Sequence, residues 1–544
     1  MATTFSGYAE HRRAVQDVSK KVKDFHAAEV PFRIYHGSTN STRTSPFREG
    51  NFVDISKMNS VLGVDRTRRL VDVQPNVSMD TLVEHTLQHD LLPPVVMEFP
   101  GITVGGGFSG TSGESSSFKY GLFYRTVEEV EMVLGNGDVV TASDTTRSDL
   151  FHGAACSFGT LGIVTLLTIR LIPASSHVSL TYLRVESMEE AMETMKMVQG
   201  KPDLDYVDAM FFARDRGVLC LGKLTTNGEA ANQVTRYSRP RDQWFYINAE
   251  NRNLQETTWS EIIPIRDYLF RYDRGAFWMG KYTYRYFAVP FNRVTRWLLD
   301  RYSRTRLMYH ALHRSDLARE YIVQDVAIPY SQASSFFDHL DQNFKQYPIW
   351  LCPLRVGGDP SGTTQGLLAD STSTSSQDDM MMSFGIWGQG PRDPEKAIAW
   401  NKGLESEIQA CGGQKWLYAH TFYTEEQFWQ IFDRRQRDQL RAKYHASNLP
   451  NLYEKVMPVD RYDERLPFDD KTVIGTVLRS FWNVWPVKGL YGWLQCIVAS
   501  EYLLPTTASA PAAHQAQSKA RRRDSAHEVD DAIASSASAS IKQD

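Results

Sequence analysis

The residues that could do chemistry crowd most densely between Phe99 and Leu122, FPGITVGGGFSGTSGESSSFKYGL. Seven of them are glycine and seven are serine or threonine. Glycine lets backbone approach a ligand closely and permits φ > 0. Bare N–H groups beside hydroxyls suit a phosphate-bearing cofactor. Gly105, Gly107 and Gly110 satisfy G-x-G-x-x-G, and Glu128 and Glu129 lie near the distance of a ribose-binding acid. The context opposes a nicotinamide Rossmann turn, which needs a strand before it and a helix opening inside it. Pro100-Gly101 interrupts the lead-in, and Phe108–Phe118 is poor in helix formers. The stretch therefore reads as an extended loop along a large cofactor, with a bland Gly/Ser surface loop as the plainer alternative.

Two further loops fit the same ligand. YHGSTNSTR, Tyr35–Arg43, follows a strand and offers N–H and hydroxyl donors for a pyrophosphate. SFGTLGIV, Ser157–Val164, is a tight Gly turn entering a strand, where backbone can face a flat ring. Each loop alone is a weak signal; their order and separation say more.

The elements that must position these loops follow from periodicity. Residues 1–30 read as an amphipathic, charged helix. Strands are expected at Arg33–His36, Asn51–Ile55 and Arg69–Gln74, and a helix at Met79–His89. Gly135-Asn136-Gly137 marks a hairpin inside Thr126–Val140, and Leu161–Ile172 is a long β-branched strand. After Pro173 come strands at Val178–Val185, Phe211–Leu221 and Tyr321–Pro329. Helices are expected at Met188–Val198, Pro391–Cys411 and, unbroken, Glu425–Tyr444. Asp267–Tyr302 alternates aromatics and arginines, either a buried aromatic cluster with snorkelling Arg or the wall of an apolar substrate pocket or a membrane-facing cap. Gly357–Asp379 reads as an exposed loop.

The fold class is α+β. The expected domains are an N-terminal helix (1–30), a cofactor domain (31–174) and a cap or substrate domain of helix-covered sheet (175–460). A Trp-rich segment (470–505) and a disordered tail (506–544) follow. At 544 residues the chain is long enough for several cores. A net charge of −4 does not advertise nucleic acid as a partner. Five scattered cysteines without metal spacing suit a reducing compartment, and no metal site is expected. No window reaches the apolar length of a membrane span. Trp482, Trp485 and Trp493 among aliphatics suit a segment lying in a membrane interface or a helix pair packed on the core.

The three loops, in this order, resemble the FAD domains of the p-cresol methylhydroxylase (vanillyl-alcohol oxidase) type. Within that group the chain most resembles the Diminuto/Dwarf1 branch, the delta-24 sterol reductases. The resemblance rests on TVGGGFSGTSGESSSFKYGLF, on SDLFHGAACSFGTLGIV (Ser148–Val164), on YPIWLCP (Tyr347–Pro353) and on WLYAHTFYTEEQFWQIFD (Trp416–Asp433). It covers about residues 15–457. It implies a p-cresol methylhydroxylase-type FAD-binding domain under an α+β cap. Tyr35, His36, Gly37, Ser38, Thr39, Asn40 and Arg43 would hold the pyrophosphate. Gly101, Thr103, Gly105, Gly106, Gly107, Ser109, Gly110, Thr111, Gly113, Ser115, Ser116, Ser117, Lys119 and Tyr120, with Gly159, Gly162 and Ile163, would line the adenosine and ring portions. FAD is expected to be non-covalent, because Tyr35-His36-Gly37-Ser38 does not look like the relatives' attachment motifs. NADPH would visit the flavin as a transient reductant. Family members begin with a membrane anchor and no such opening segment is read here. Peripheral membrane association through residues 473–504 is therefore the expectation, at the endoplasmic reticulum membrane or in the cytoplasm.

The implied reaction reduces an isolated double bond in a sterol side chain. Such an alkene has no carbonyl to polarise it, so a positioned acid and a dry pocket are required. Tyr418 is the first candidate acid and His420 the second. On a strand those two would share a face, with Tyr423 opposite. Lys119 reads better as a phosphate or flavin-oxygen contact than as an acid. An FAD-linked oxidase of the same fold acting on a terpenoid, or a non-catalytic sterol-binding protein, are the alternatives.

Overall fold

Period-two alternation of apolar residues builds two antiparallel sheets, which the computed structural model describes over residues 2–43, 50–226, 234–255, 257–315, 317–356, 380–457, 482 and 484–498. The first sheet has five strands in the order Val61–Asp65, Leu70–Val73, Ile163–Arg170, Val127–Val133, Val139–Ser143. Its last two strands form the expected hairpin, closed by Gly137 at φ 87°. A short parallel pair, Arg33–Tyr35 with Phe52–Asp54, stands beside it. The N-terminal helix, Ala2–Ala27, buries Val15, Val18 and Val22 against Phe32, Val133 and Ile163. Three to four residues separate those valines, so they lie on one helix face. His11 Nε2 meets Glu131 Oε1 at 3.0 Å.

The second sheet has eight strands, ordered Thr258–Pro264, His177–Val185, Arg216–Thr225, Tyr206–Ala213, Ile349–Arg355, Met380–Gln389, Tyr321–Pro329, Gln414–Lys415. One of its faces carries Leu351, Phe384, Ile386, Val326 and Ile328. Helices Met188–Gln199, Ala333–Asn343 and Pro394–Ala410 contribute Met192, Phe336, Phe337 and Leu404 to that same core. The architecture is α+β.

Five local expectations are corrected. The strand read at Phe211–Leu221 is two strands, Tyr206–Ala213 and Arg216–Thr225, because Arg214 and Asp215 turn the chain between apolar runs. The helix read across Glu425–Tyr444 breaks at Phe432, and Asp433 caps a new helix by accepting from Gln436 N at 3.0 Å. The glycine-rich stretch is not wholly extended: Val104–Gly110 is helical, with Thr103 accepting from Gly106 N. A Cβ on Gly107 would lie 2.3 Å from Met97 Cε, and one on Gly105 2.7 Å from Pro75 Cβ. Close packing thus selects glycine there and overrides its poor helix propensity. Finally, Tyr418 and His420 lie in a turn and loop, not on a strand. Two arginines of Asp267–Tyr302 do not snorkel: Arg271 and Arg274 are each 1% exposed and held in ion pairs, whereas Arg285, Arg293 and Arg301 are exposed. Gly357–Asp379, the tail 506–544 and much of 470–505 lie outside the described residues; the described part of 470–505 includes the helix Val487–Val498. No described helix is long and apolar enough to cross a membrane.

Candidate active site

The second sheet turns its other face toward a cleft. Register places Trp350 opposite Gly385, and Gly385 opposite Asp325; Val323 pairs with Trp387 and Cys352 with Ser383. Side chains two apart share a face, so Trp350, Ser383, Trp387 and Asp325 converge as one wall. Gly385 leaves room between them: a Cβ there would lie 3.2 Å from Trp350 Cβ and 3.3 Å from Asp325 Oδ1. The opposite walls are the Ile34–Arg43 segment, the stretch Met97–Gly113 and the turn Ser157–Gly162. The three loops singled out in the sequence are thus brought together.

One end of the cleft is cationic. His36, Ser38, Thr39, Asn40, Ser41 and Arg43 line it, with Lys455 from the distant helix Leu452–Val456. Arg43 Nη1 donates to Lys455 O at 3.0 Å, its guanidinium lies over the Phe158 ring, and its Nε has no partner. Burial, with Arg33 and Arg43 nearby, pushes the Lys455 ammonium down to about 7. Burial and Lys455 push His36 down to about 4, so its ring is neutral. No described carboxylate pairs with Lys455 or Arg43. Buried cations without counter-charge are costly, and a diphosphate placed there would supply the charge. The donor set therefore fits the pyrophosphate of FAD.

The middle of the cleft is glycine-lined. Gly101, Thr103, Gly105, Gly106, Ser109, Gly110, Gly113, Gly159 and Gly162 all border it. Gly159 sits at φ 78°, and a Cβ there would lie 2.8 Å from Ile34 Cδ1. Other predicted contacts are not brought to the cleft wall. Tyr35, Gly107 and Ile163 face the cores behind it, and Gly37 turns at φ 81°. Thr111 ends the helix, and its carbonyl accepts from Trp416 Nε1 at 3.1 Å. Ser115, Ser116 and Ser117 are buried against the second sheet, with Ser115 O accepting from Val207 N at 2.8 Å. Lys119 donates to Asp205 at 2.9 Å and packs beside Tyr120. Its assignment as a phosphate or flavin contact is therefore corrected: a carboxylate already holds that ammonium.

The other end is acidic. Tyr418 OH donates to Asp325 Oδ2 at 2.7 Å, and Trp387 Nε1 donates to Oδ1 at 3.0 Å. Burial still pushes the Asp325 carboxyl up to about 6. Glu98, at the end of an apolar run, faces the same space, and burial and its neighbours Glu114 and Asp325 hold it well above the usual carboxylate range. Behind it, Glu114 is pushed by burial up to about 7 despite Arg271 at 3.7 Å. Arg271 in turn pairs with Asp208 at 3.0 Å, and Tyr272 OH and Trp350 Nε1 donate to that same carboxylate. His420 is not part of the wall. Burial and Lys415 lower it to about 3, and its carbonyl accepts from Gln324 and Lys415. Tyr423 packs with Leu417 and Phe428.

Sequence reasoning missed Glu98, Asp325, Lys455, Trp350 and Trp387. Glu98 and Asp325 had a signal, being single acids inside apolar runs (VVMEFP, YIVQDVAIP). Lys455 had none, since it arrives from over 400 residues beyond the loop it completes.

An apolar cleft adjoins the acidic end, sharing Tyr309 and Trp387 with it. Met279, Phe287, Leu307, Met308 and Val323 line it, and helix Val487–Val498 closes one side with Leu490 and Trp493. Gly489 and Gly492 permit that closure: a Cβ on the first would lie 2.3 Å from Tyr286 Cε1, and on the second 2.7 Å from Ala311 O.

Comparison with known proteins agrees with this layout. The FAD binding domain family model matches residues 12–143. Delta(24)-sterol reductase of Rattus norvegicus is 27% identical over 461 residues, 83% of this chain and 87% of the relative. That of Homo sapiens is 26% identical over the same shares, and that of Pisum sativum 28% over 72% and 74%. Residues 12–143 thus match an FAD binding domain, and the chain is similar along most of its length to the Delta(24)-sterol reductases.

Proposed function

We propose that the protein reduces an isolated side-chain double bond of a sterol, using FAD as cofactor and NADPH as reductant. One observation carries the reading: a cofactor cleft and an almost wholly apolar cleft meet at Tyr309 and Trp387. A ligand in the second could present one end to a flavin in the first.

In this arrangement Arg43, Lys455 and the Ser38–Asn40 loop hold the diphosphate, and the glycines at 101–113 and 159–162 let the cofactor lie flat against backbone. FAD supplies the hydride chemistry. The protein's own residues do the rest. Trp350 and Trp387 exclude water, and aromatic faces at the junction stabilise cationic character as the alkene is protonated. Tyr418 stands at the reacting end of the cleft, its hydroxyl fixed by donation to Asp325, as a residue that positions the groups there. His420, neutral and outside the wall, has no place at the reacting end.

The partner surface follows from the same reading. Helix Arg293–Leu298 exposes Val294, Trp297 and Leu298, and the helix closing the apolar cleft exposes Leu490, Leu494 and Ile497. Arg285, Arg293 and Arg301 are exposed nearby. Aromatic and aliphatic side chains beside cations suit a membrane interface. The proposed setting is peripheral, on an intracellular membrane such as the endoplasmic reticulum, where the sterol enters from lipid.

The test is incubation of purified protein with NADPH and sterols bearing a 24-ene, with product mass measured. A gain of two hydrogens is expected. Unchanged sterol, with hydrogen peroxide formed from a saturated terpenoid instead, would replace this reading with an oxidase.

A further inference from the structure

Reduction of an isolated alkene adds one hydride and one proton across the C=C bond, so some group must deliver the proton. The cleft offers three carboxyls and Tyr418. Tyr418 already directs its proton to Asp325. Both Asp325 oxygens accept hydrogen bonds, from Tyr418 and from Trp387, an arrangement that favours the ionised form. Glu114 stands behind the wall, 3.7 Å from Arg271, and accepts from Ser115 Oγ at 2.9 Å. Glu98 differs from all of these. It lines the cleft, its charged neighbours are the carboxyls of Glu114 and Asp325 with Arg271 beyond, and its own backbone N–H, but no described side chain, donates to it. Tyr418 and the Cys352 thiol are its other titratable neighbours.

We propose that Glu98 is the proton donor: it lines the cofactor cleft next to Phe99, whose ring packs on Tyr309 and Trp387 where the two clefts meet, and its carboxylic acid protonates one alkene carbon as hydride arrives at the other. The O–H bond of Glu98 breaks, the new C–H bond forms, and the carboxylate left behind regains its proton from solvent before the next turnover. The hydride and its electron pair come from the reduced cofactor, replenished by NADPH. Asp325 and Glu114 act as positioning residues that favour the neutral acid by like charge, against Arg271, whose charge favours the ionised form. This assignment rests on the sterol-reductase reading and adds the residue that completes it.

Glu98→Gln tests it in the FAD-loaded protein. Flavin absorbance and thermal midpoint should match the wild type, and anaerobic bleaching by NADPH should stay within about threefold. Turnover of the 24-ene should fall by about 10²–10⁴, the usual contribution of a general acid. Wild-type turnover should decline on the alkaline side as the acid ionises, and Glu98→Asp should restore part of the activity. In infrared difference spectra of substrate-free protein between neutral and alkaline pH, a protonated-carboxyl band should appear in the wild type and vanish in Glu98→Gln. Retained sterol turnover in Glu98→Gln, or an unchanged infrared band, would overturn the assignment while leaving the reductase reading intact. Sterol left unchanged by the wild type itself would remove that reading, and the donor role with it.

Discussion

The two ends of the cofactor cleft gather opposite charges and solve the same physical problem in opposite ways. At one end Arg33, Arg43 and Lys455 crowd together, and burial with mutual repulsion drives Lys455 down to about 7. At the other, Glu98, Glu114 and Asp325 crowd together, and burial drives all three upward. Desolvation penalises the charged form of either kind. Among the described residues no carboxylate pairs with Arg43 or Lys455, and a diphosphate would provide that charge. The acidic end has Arg271 beside Glu114, and a carboxyl kept neutral there is itself useful as a donor, as in sites where a carboxylic acid is kept protonated to serve chemistry. Clusters of like charge with strongly shifted titration mark functional places, and here the sign separates binding from reaction.

The contrast can be broken most severely at the cationic end. Arg43→Glu with Lys455→Glu would set two negative charges against the diphosphate. FAD affinity should fall by more than ~100-fold, read by quenching of flavin fluorescence on titration. Affinity within tenfold of the wild type would show that the diphosphate lies elsewhere.

At the acidic end, Asp325→Asn leaves one acceptor oxygen where Tyr418 and Trp387 now use two, and removes a negative charge from beside Glu98. Turnover of the 24-ene should drop ~10–100-fold while NADPH bleaching is kept. Tyr418→Phe should cost less, and the double variant should cost less than the two combined, because the residues act as a pair. Full additivity would separate them.

A gentler probe is pH. Lys455 titrates near 7 without ligand, and an adjacent anion raises that value. Binding must therefore take up a proton above pH 7, and FAD affinity should weaken as pH rises from 7 toward the bound-state value, by at most tenfold per unit. Lys455→Met should bind more weakly at pH 6 and lose this slope. A wild-type affinity flat from pH 6 to 9 would remove Lys455 from the diphosphate.

The smallest effect concerns the exposed apolar face. Leu494→Glu with Ile497→Glu should cut co-sedimentation with lipid vesicles several-fold and leave NADPH bleaching unchanged. Equal sedimentation would place membrane contact elsewhere.

What was legible in the sequence follows the range of the physics. The three loops, the hairpin at Gly135–Gly137 and the N-terminal helix are local, and local glycine and apolar spacing revealed them. The helix inside the glycine stretch was not, because only Pro75, Met97 and Phe123 packing against it explain its glycines. Ser115–Tyr120 looked like cofactor lining because hydroxyls near glycines suit phosphate. In the fold they meet the second sheet, and Asp205, remote in sequence, takes Lys119. Tyr418 and the loops at 35–43, 101–113 and 159–162 lie around one cleft, whereas His420 is turned toward Lys415. Asp325 and Glu98 are the instructive omissions: an acid alone in an apolar run reports burial, and its chemistry depends on who faces it across the sheet.

The most direct measurement is a single turnover without oxygen. Protein is reduced with one equivalent of NADPH and mixed with a 24-ene sterol, while flavin absorbance and sterol mass are followed together. The flavin band should return at the rate at which saturated sterol appears, one sterol per flavin. Reoxidation only on admission of air, with the sterol unchanged, would contradict the account.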